Sequence, residues 1–312
     1  MKAIFCDKKL ELRDIAKPVI KKGESLIKVL LAGICKTDIE IKKGYMNFKG
    51  VIGHEFVGIV EEGRLKGKKV VGEINVGCGV CDFCKKGLSR HCVNRSVLGI
   101  YKRDGAFAEY ITLPDANIFS VPDNISDLEA VFTEPVAASL EILEQVKITP
   151  DSRTAVVGDG RIGQIIAQVI KLTGCYIKVY GKNKKKLELL EKLNINTDIL
   201  CGNIKNKYDF IVECSGNPKG FETALNLVKP RGKIILKSTF VTPLKFDTAK
   251  VVVDEITILG SRCGRFQPAL RLLENKLVKV DYLVSKVFPI DQYVEAFKYA
   301  KKKDTLKVLL EM

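Results

Sequence analysis

The 312-residue chain has no tryptophan, two histidines and three methionines. Imidazole chemistry is therefore confined to His54 and His91. No apolar run approaches the ~20 residues that a membrane-spanning helix requires, so no membrane partner is expected. The opening stretch, MKAIFCDKKLELRD, lacks the apolar core of a signal peptide, and a cytoplasmic location is expected. Internal repeats and low-complexity linkers are missing as well. What is present fits a soluble globular protein: 46% hydrophobic and 29% charged residues, over a length sufficient for two ordinary domains.

Positive charge is in excess, with 52 Lys and Arg against 37 Asp and Glu and a formal net charge of +15. Nucleic acid is one partner that such a balance would serve. Yet the lysines are spread along the chain, with triplets only at Lys184–Lys186 and Lys301–Lys303, and no aromatic residues interleave with them. A solvated lysine-rich surface is expected, without a nucleic-acid partner.

Ten cysteines without an export signal indicate a reducing compartment and free thiols. Four of them, Cys78, Cys81, Cys84 and Cys92, stand in GCGVCDFCKKGLSRHC with C-x2-C-x2-C-x7-C spacing. Four thiolates close a tetrahedral shell around one Zn²⁺ and leave no position open to a substrate. The cluster therefore predicts a zinc-pinned lobe over residues 77–93, not the chemistry. Cys6, Cys175, Cys201, Cys214 and Cys263 read as buried small apolar residues.

The first third of the chain is β-rich: SLIKVLLAGIC, FVGIVEEG, KKVVGEI and AFAEYITLP are short, β-branched and punctuated by Gly or Pro. From about Ser152 strands alternate with helices, which argues a doubly wound parallel sheet. RTAVVG, CYIKVYG, YDFIVECSG, GKIILKS and ITILGS are the strand-like runs, and RIGQIIAQVIKLTG, KKKLELLEKLN and FETALNLV the helical ones.

Within TAVVGDGRIGQIIAQ, Gly158, Gly160 and Gly163 form G-x-G-x-x-G between a strand and a helix. There the first glycine permits a tight turn, the second lets the backbone approach a pyrophosphate, and the third lets the helix pack on the sheet. Folds that bind NAD usually carry Asp or Glu at the end of the second strand, about 20 residues on, for the ribose 2′-OH. Here that position is Gly181, followed by Lys182, Asn183 and Lys184. Glycine leaves room and the lysines offer positive charge, so NADP(H) is preferred over NAD(H). In the alternative the lysines only start a solvated helix, and Asn183 holds the 2′-OH. Cofactor contacts are expected from Gly158, Gly160, Arg161, Ile162, Gly163, Gly181, Lys182, Asn183 and Lys184.

Cys35 stands in GICKTDIE, His54 in VIGHEFVG and Glu134 in TEPVAAS. A thiolate, an imidazole and a carboxylate suit a catalytic zinc, which keeps one position open. Singly, each reads as readily as a buried cysteine, a core histidine or a surface glutamate. In the order GICKTD, GHEFVG, four-cysteine lobe, TEPVAAS, G-x-G-x-x-G and a C-terminal KVLL strand, the chain resembles the zinc-dependent medium-chain alcohol dehydrogenases. It is most similar to their sorbitol and threonine dehydrogenase branch, whose third catalytic-zinc ligand is typically a glutamate.

The resemblance implies a GroES-like β-rich catalytic domain, residues 1–136 and 267–312, around a Rossmann cofactor domain, residues 137–266, with the active site in the cleft between them. It implies two zinc ions per chain, the second held by Cys35, His54 and Glu134. Glu55 would be a carboxylate able to approach the metal during ligand exchange, and Asp38 would fix the His54 ring. Thr37 would relay a proton from the substrate oxygen, and Lys307 matches a basic position near the cofactor. Many relatives have a proton-relaying histidine five residues after the first zinc cysteine, and this chain has Glu40 there. The implied reaction moves hydride between a small alcohol or polyol, or the matching ketone or aldehyde, and a nicotinamide cofactor, in a homodimer or homotetramer.

Tyr45, Met46, Phe48, the surroundings of Phe107, and Arg262 or Arg265 are candidate substrate contacts. Two other functions compete. A zinc-free quinone or enone reductase on the same scaffold would hold no metal at Cys35, His54 and Glu134. A basic nucleic-acid-binding protein would use the four-cysteine lobe with Lys85, Lys86 and Arg90, and leaves the glycine fingerprint unexplained.

Overall fold

The structure, a computed structural model, describes residues 1–7, 9–200, 207–239 and 244–312. The chain divides into two compact units: Met1–Glu134 with Phe266–Lys276 and Val280–Met312, and Pro135–Arg265 with Leu277–Lys279. No helix among the described residues is long and apolar enough to cross a membrane.

The first unit is built on the eleven-residue strand Glu24–Ile34, ESLIKVLLAGI, whose Leu26, Ile27, Val29, Ala32 and Ile34 are buried. Its β-branched and leucine-rich run suits a strand buried in the middle of a sheet. The seven-stranded sheet runs Ile118–Ser120, Lys69–Gly72, Phe56–Glu62, Glu24–Ile34, Lys307–Glu311, Val284–Pro289, with Tyr110–Pro114 also paired to Glu24–Ile34. Phe56–Glu62 and Lys307–Glu311 lie antiparallel to Glu24–Ile34, with Phe56 opposite Ala32 and Val308 opposite Ile34. This register brings three distant stretches to one end of the sheet: Cys35 after its strand, His54 and Glu55 before theirs, and Lys307 at the start of its own.

The second unit is a six-stranded parallel sheet: Asn196–Ile199, Tyr176–Gly181, Arg153–Val157, Tyr208–Glu213, Val228–Leu236, Thr257–Gly260. Numbered along the chain the order is 3-2-1-4-5-6, that of the doubly wound dinucleotide-binding fold. The helix Arg161–Lys171 packs Ile166, Ala167 and Ile170 into a core with Val156, Val179 and Val212. Asn196–Ile199 escapes a reading based on apolar periodicity because this edge strand, NTDI, buries little. The helix Thr133–Gln145 is also unannounced: Pro135 falls in its first turn, where no intrahelical N–H is required. Cys6, Cys175 and Cys214 are buried, whereas Cys263 is only half-buried, and Cys201 lies outside the described residues.

Candidate functional site

In the first unit, Cys35 caps the short helix Lys36–Ile41. Its N–H donates to Asp38 Oδ2 at 2.7 Å, and its Sγ lies 3.7 Å from Thr37 Oγ1. Asp38 is fully buried, and its other oxygen, Oδ1, lies 3.3 Å from Nδ1 of the buried His54. Burial alone would push the His54 imidazole down. The Asp38 carboxylate and Cys35 outweigh it and hold His54 well above the ordinary histidine value. Cys35, His54 and Glu55 form a trio whose ligand atoms all lie within 4.8 Å of one another.

Glu55, 1% exposed, is ion-paired with Lys307, 0% exposed, whose Nζ also donates to the Ile34 carbonyl at 3.3 Å. Gly33 makes this possible: a Cβ there would overlap Lys307 Cε and Nζ. Lys307 thus pairs with Glu55, while the buried Asp38 carboxylate faces His54 and the Cys35 N–H. A thiol, an imidazole and an excess of negative charge fit a divalent zinc ion. Glu134, the expected third ligand, stands half-buried in the first turn of Thr133–Gln145 and is not in the trio. Glu40, the fifth of the six residues of the capped helix, is ion-paired with Lys43 at 2.9 Å.

The second cysteine group is equally close. Sγ of Cys78, Cys81, Cys84 and Cys92 all lie within 4.8 Å of one another. Cys81 Sγ is 3.6 Å from Cys84 Sγ and 3.7 Å from Cys92 Sγ. These separations are too long for disulfides. They match the edge of a tetrahedron with metal–sulfur bonds of about 2.3 Å, which is about 3.8 Å. Backbone N–H groups of Val80 and Cys81 lower the Cys78 thiol to about 6, favouring the thiolate a metal needs, while burial raises Cys84 to about 11. If the four thiolates hold a zinc ion, Cys81→Ser is expected to lower the zinc content of the protein by one ion per chain and to open residues 77–93 to proteolysis. Metal analysis and limited digestion of the purified variant check both; an unchanged zinc content would refute a structural role.

In the second unit, Gly158 follows the strand Arg153–Val157 with φ +135°. A Cβ on Gly163 would overlap the Gly158 carbonyl, so helix and loop are in direct backbone contact. Gly160, the N-cap of Arg161–Lys171, has open space around it. An open glycine before free helix N–H groups fits a pyrophosphate. Arg161 lies in the first turn, and Ile162 packs partly into the core. Gly181 ends the neighbouring strand, Lys182 and Lys184 are exposed, and Asn183 caps the helix Lys184–Glu191.

Sequence reasoning missed one residue here. Asp159 Oδ2 accepts the Lys182 N–H at 2.6 Å and the Asn183 N–H at 2.7 Å. A Cβ on Gly181 would sit 2.5 Å from that oxygen. The available signal was an acidic residue inside a glycine fingerprint whose partner strand ends without one.

The substrate-contact candidates belong to both units. Tyr45 and Met46 are exposed on a short turn, Tyr45–Asn47, with Met46 at φ 61°. Met46, Phe48, Lys49, Tyr101 and Arg103 line a surface pocket of about 510 Å³. Phe107 itself is fully buried, edge-on to Phe297 at 6.1 Å. Arg265 is ion-paired with Glu144 at 2.5 Å, and the Arg262 carbonyl accepts from Lys237 Nζ at 2.8 Å.

Two family models match the chain, the alcohol dehydrogenase GroES-like domain over residues 21–123 and the zinc-binding dehydrogenase domain over residues 162–275. The sorbitol dehydrogenase of Halalkalibacterium halodurans is 28% identical over 320 residues, covering 94% of this chain and 93% of its own. Among solved structures, the rspB short chain alcohol dehydrogenase of Escherichia coli CFT073, complexed with NADH, superposes with a TM-score of 0.92 at 26% identity, covering 100% of this chain and 99% of that one. A Sinorhizobium meliloti 1021 protein bound to NADP shares the fold with a TM-score of 0.91 at 24% identity, again covering 100% and 99%.

Proposed function

The chain belongs to the zinc-dependent medium-chain alcohol dehydrogenase family, and from that membership we propose that it oxidises a polyol or secondary alcohol, or reduces the matching ketone, with a nicotinamide cofactor. The observation that carries this reading is the meeting of the half-buried Cys35 with the buried His54 and Glu55 at one end of the catalytic sheet. The polyol class rests on the sorbitol dehydrogenase relative.

Cys35 and His54 would hold a zinc ion, with Glu134 as the proposed third ligand because Glu55 is engaged by Lys307. When bound, that ion supplies Lewis-acid polarisation of the substrate oxygen, and the nicotinamide supplies the hydride chemistry. The remaining tasks fall to the chain's own side chains. Asp38 fixes the Cys35 backbone through its N–H and orients the His54 ring. The Thr37 hydroxyl, beside Cys35 Sγ, takes the proton that leaves the substrate. Glu40 lies three residues further along the same helix face and passes it outward, since residues at that spacing are neighbours. The glycine loop from Gly158 to Gly163 holds the cofactor pyrophosphate, and the four-cysteine lobe holds a second zinc.

A panel of polyols, secondary alcohols and L-threonine, offered with NAD⁺ and NADP⁺ to protein of measured zinc content, tests the proposal. Reduced nicotinamide appearing at about 340 nm with a polyol or secondary alcohol is the expected result. Activity confined to quinones or enones, in protein with one zinc per chain, would instead favour the zinc-free reductase.

A further inference from the structure

We infer that Asp159 replaces the carboxylate missing from position 181 and makes the chain select NAD(H) over NADP(H), an inference that rests on the dehydrogenase reading above. The exchange is visible in the backbone. Strands Arg153–Val157 and Tyr176–Gly181 are parallel neighbours, with Val157 opposite Tyr180, so the loop residue Asp159 emerges beside Gly181. Its side chain lies over that glycine: a Cβ on residue 181 would come within 2.5 Å of Asp159 Oδ2 and 2.6 Å of Asp159 Cβ. The space that an acidic side chain at 181 would fill is occupied by an acidic side chain from the glycine loop. With Asp159 placed as it is, a side chain at 181 would collide with it.

The carboxylate is also fixed. Oδ2 accepts two backbone N–H groups, from Lys182 and Asn183, which set its position. Oδ1 takes part in no hydrogen bond among the described residues and is left for a donor. Asp159 is half-buried beside a loop whose glycines lie where a dinucleotide's phosphates would be held. A ribose 2′-OH is such a donor, and to a carboxylate it makes a charge-assisted bond. A 2′-phosphate has no proton to offer at neutral pH and brings like charge to a held anion.

Lys182 and Lys184 pull the other way, but both are exposed. Each would have to surrender side-chain freedom to reach a phosphate, and solvent weakens its attraction. Asn183, the alternative holder of the 2′-OH, has its Oδ1 turned to the Lys186 N–H at 3.4 Å as a helix cap. On this inference NAD(H) takes the place of the NADP(H) expected from Gly181 and its lysines. What the sequence shows as an empty acidic position is a filled one.

Direct binding tests this without turnover. NADH and NADPH are titrated into the zinc-loaded protein by their own fluorescence, and 5′-AMP and 2′,5′-ADP by calorimetry. Wild-type protein is expected to bind NADH about 10–100-fold more tightly than NADPH, the scale of one hydrogen bond to a charged group. Asp159→Asn keeps an oxygen for the Lys182 and Asn183 N–H groups and removes the charge. It is expected to shift the NADH-to-NADPH ratio at least about tenfold toward NADPH, and the AMP-to-2′,5′-ADP ratio in the same direction. Wild-type protein that binds NADPH as tightly as NADH, or a variant that weakens both equally, overturns the inference and leaves the dehydrogenase reading intact. Failure of wild-type protein to bind any of the four nucleotides overturns both.

Discussion

Lys307→Ala is expected to lower stability by about 3–5 kcal/mol, the usual effect of removing one member of a buried ion pair. Both partners are sealed from water, Lys307 at 0% and Glu55 at 1% exposure. Alanine would leave the Glu55 carboxylate in the interior with its counter-charge gone, and would open a hole between Gly33 and Val131, which both face the lysine stem. For a protein of this size that loss corresponds to a fall in Tm of roughly 10 °C. Thermal unfolding of the zinc-loaded protein, followed by circular dichroism, reads it. Lys307→Met combined with Glu55→Gln should recover most of the loss, because the double variant leaves no buried charge unanswered. A single variant within about 1 kcal/mol of wild type would mean that water reaches the pair.

The second large effect is on turnover. Cys35→Ala should reduce kcat/KM on the order of 10³-fold, the scale of removing a principal electrostatic element from a reaction centre. It should leave Tm nearly unchanged, since Cys35 is half-buried and its backbone N–H still reaches Asp38. It should also remove one zinc ion and leave the lobe of Cys78, Cys81, Cys84 and Cys92 loaded. The metal content of this variant should match that of Cys81→Ser, while proteolysis of residues 77–93 and residual activity should separate them. A Cys35→Ala protein with both zinc ions and wild-type activity would remove Cys35 from the chemistry.

What the sequence reveals of this molecule is what lies close together in it. The four-cysteine spacing, the glycine fingerprint and the Cys35–Thr37–Asp38 stretch are local, and each can be read from a dozen residues. The parallel sheet is legible because its buried strands are continuous apolar runs, and the polar edge strand Asn196–Ile199 is missed for want of one. Contacts set by strand pairing are a different matter. That Lys307 neutralises Glu55 depends on Val308 lying opposite Ile34, a register no local pattern encodes. The same holds for Asp159 and Gly181, whose side chain and missing side chain fit only once their strands are adjacent.

The strand Lys307–Glu311 lies between Glu24–Ile34 and Val284–Pro289, and its lysine meets a glutamate 252 positions earlier in the chain. Pro135–Arg265, nearly all of the other unit, is synthesised in between. On the ribosome, that parallel sheet can form as one contiguous stretch emerges, while the earlier sheet waits with a gap beside its central strand. Closing so long a loop is slow, so the pairing of Lys307 with Glu55 is expected late in folding. The sheet end that joins Cys35, His54, Glu55 and Lys307 thus depends on a pairing between distant parts of the chain.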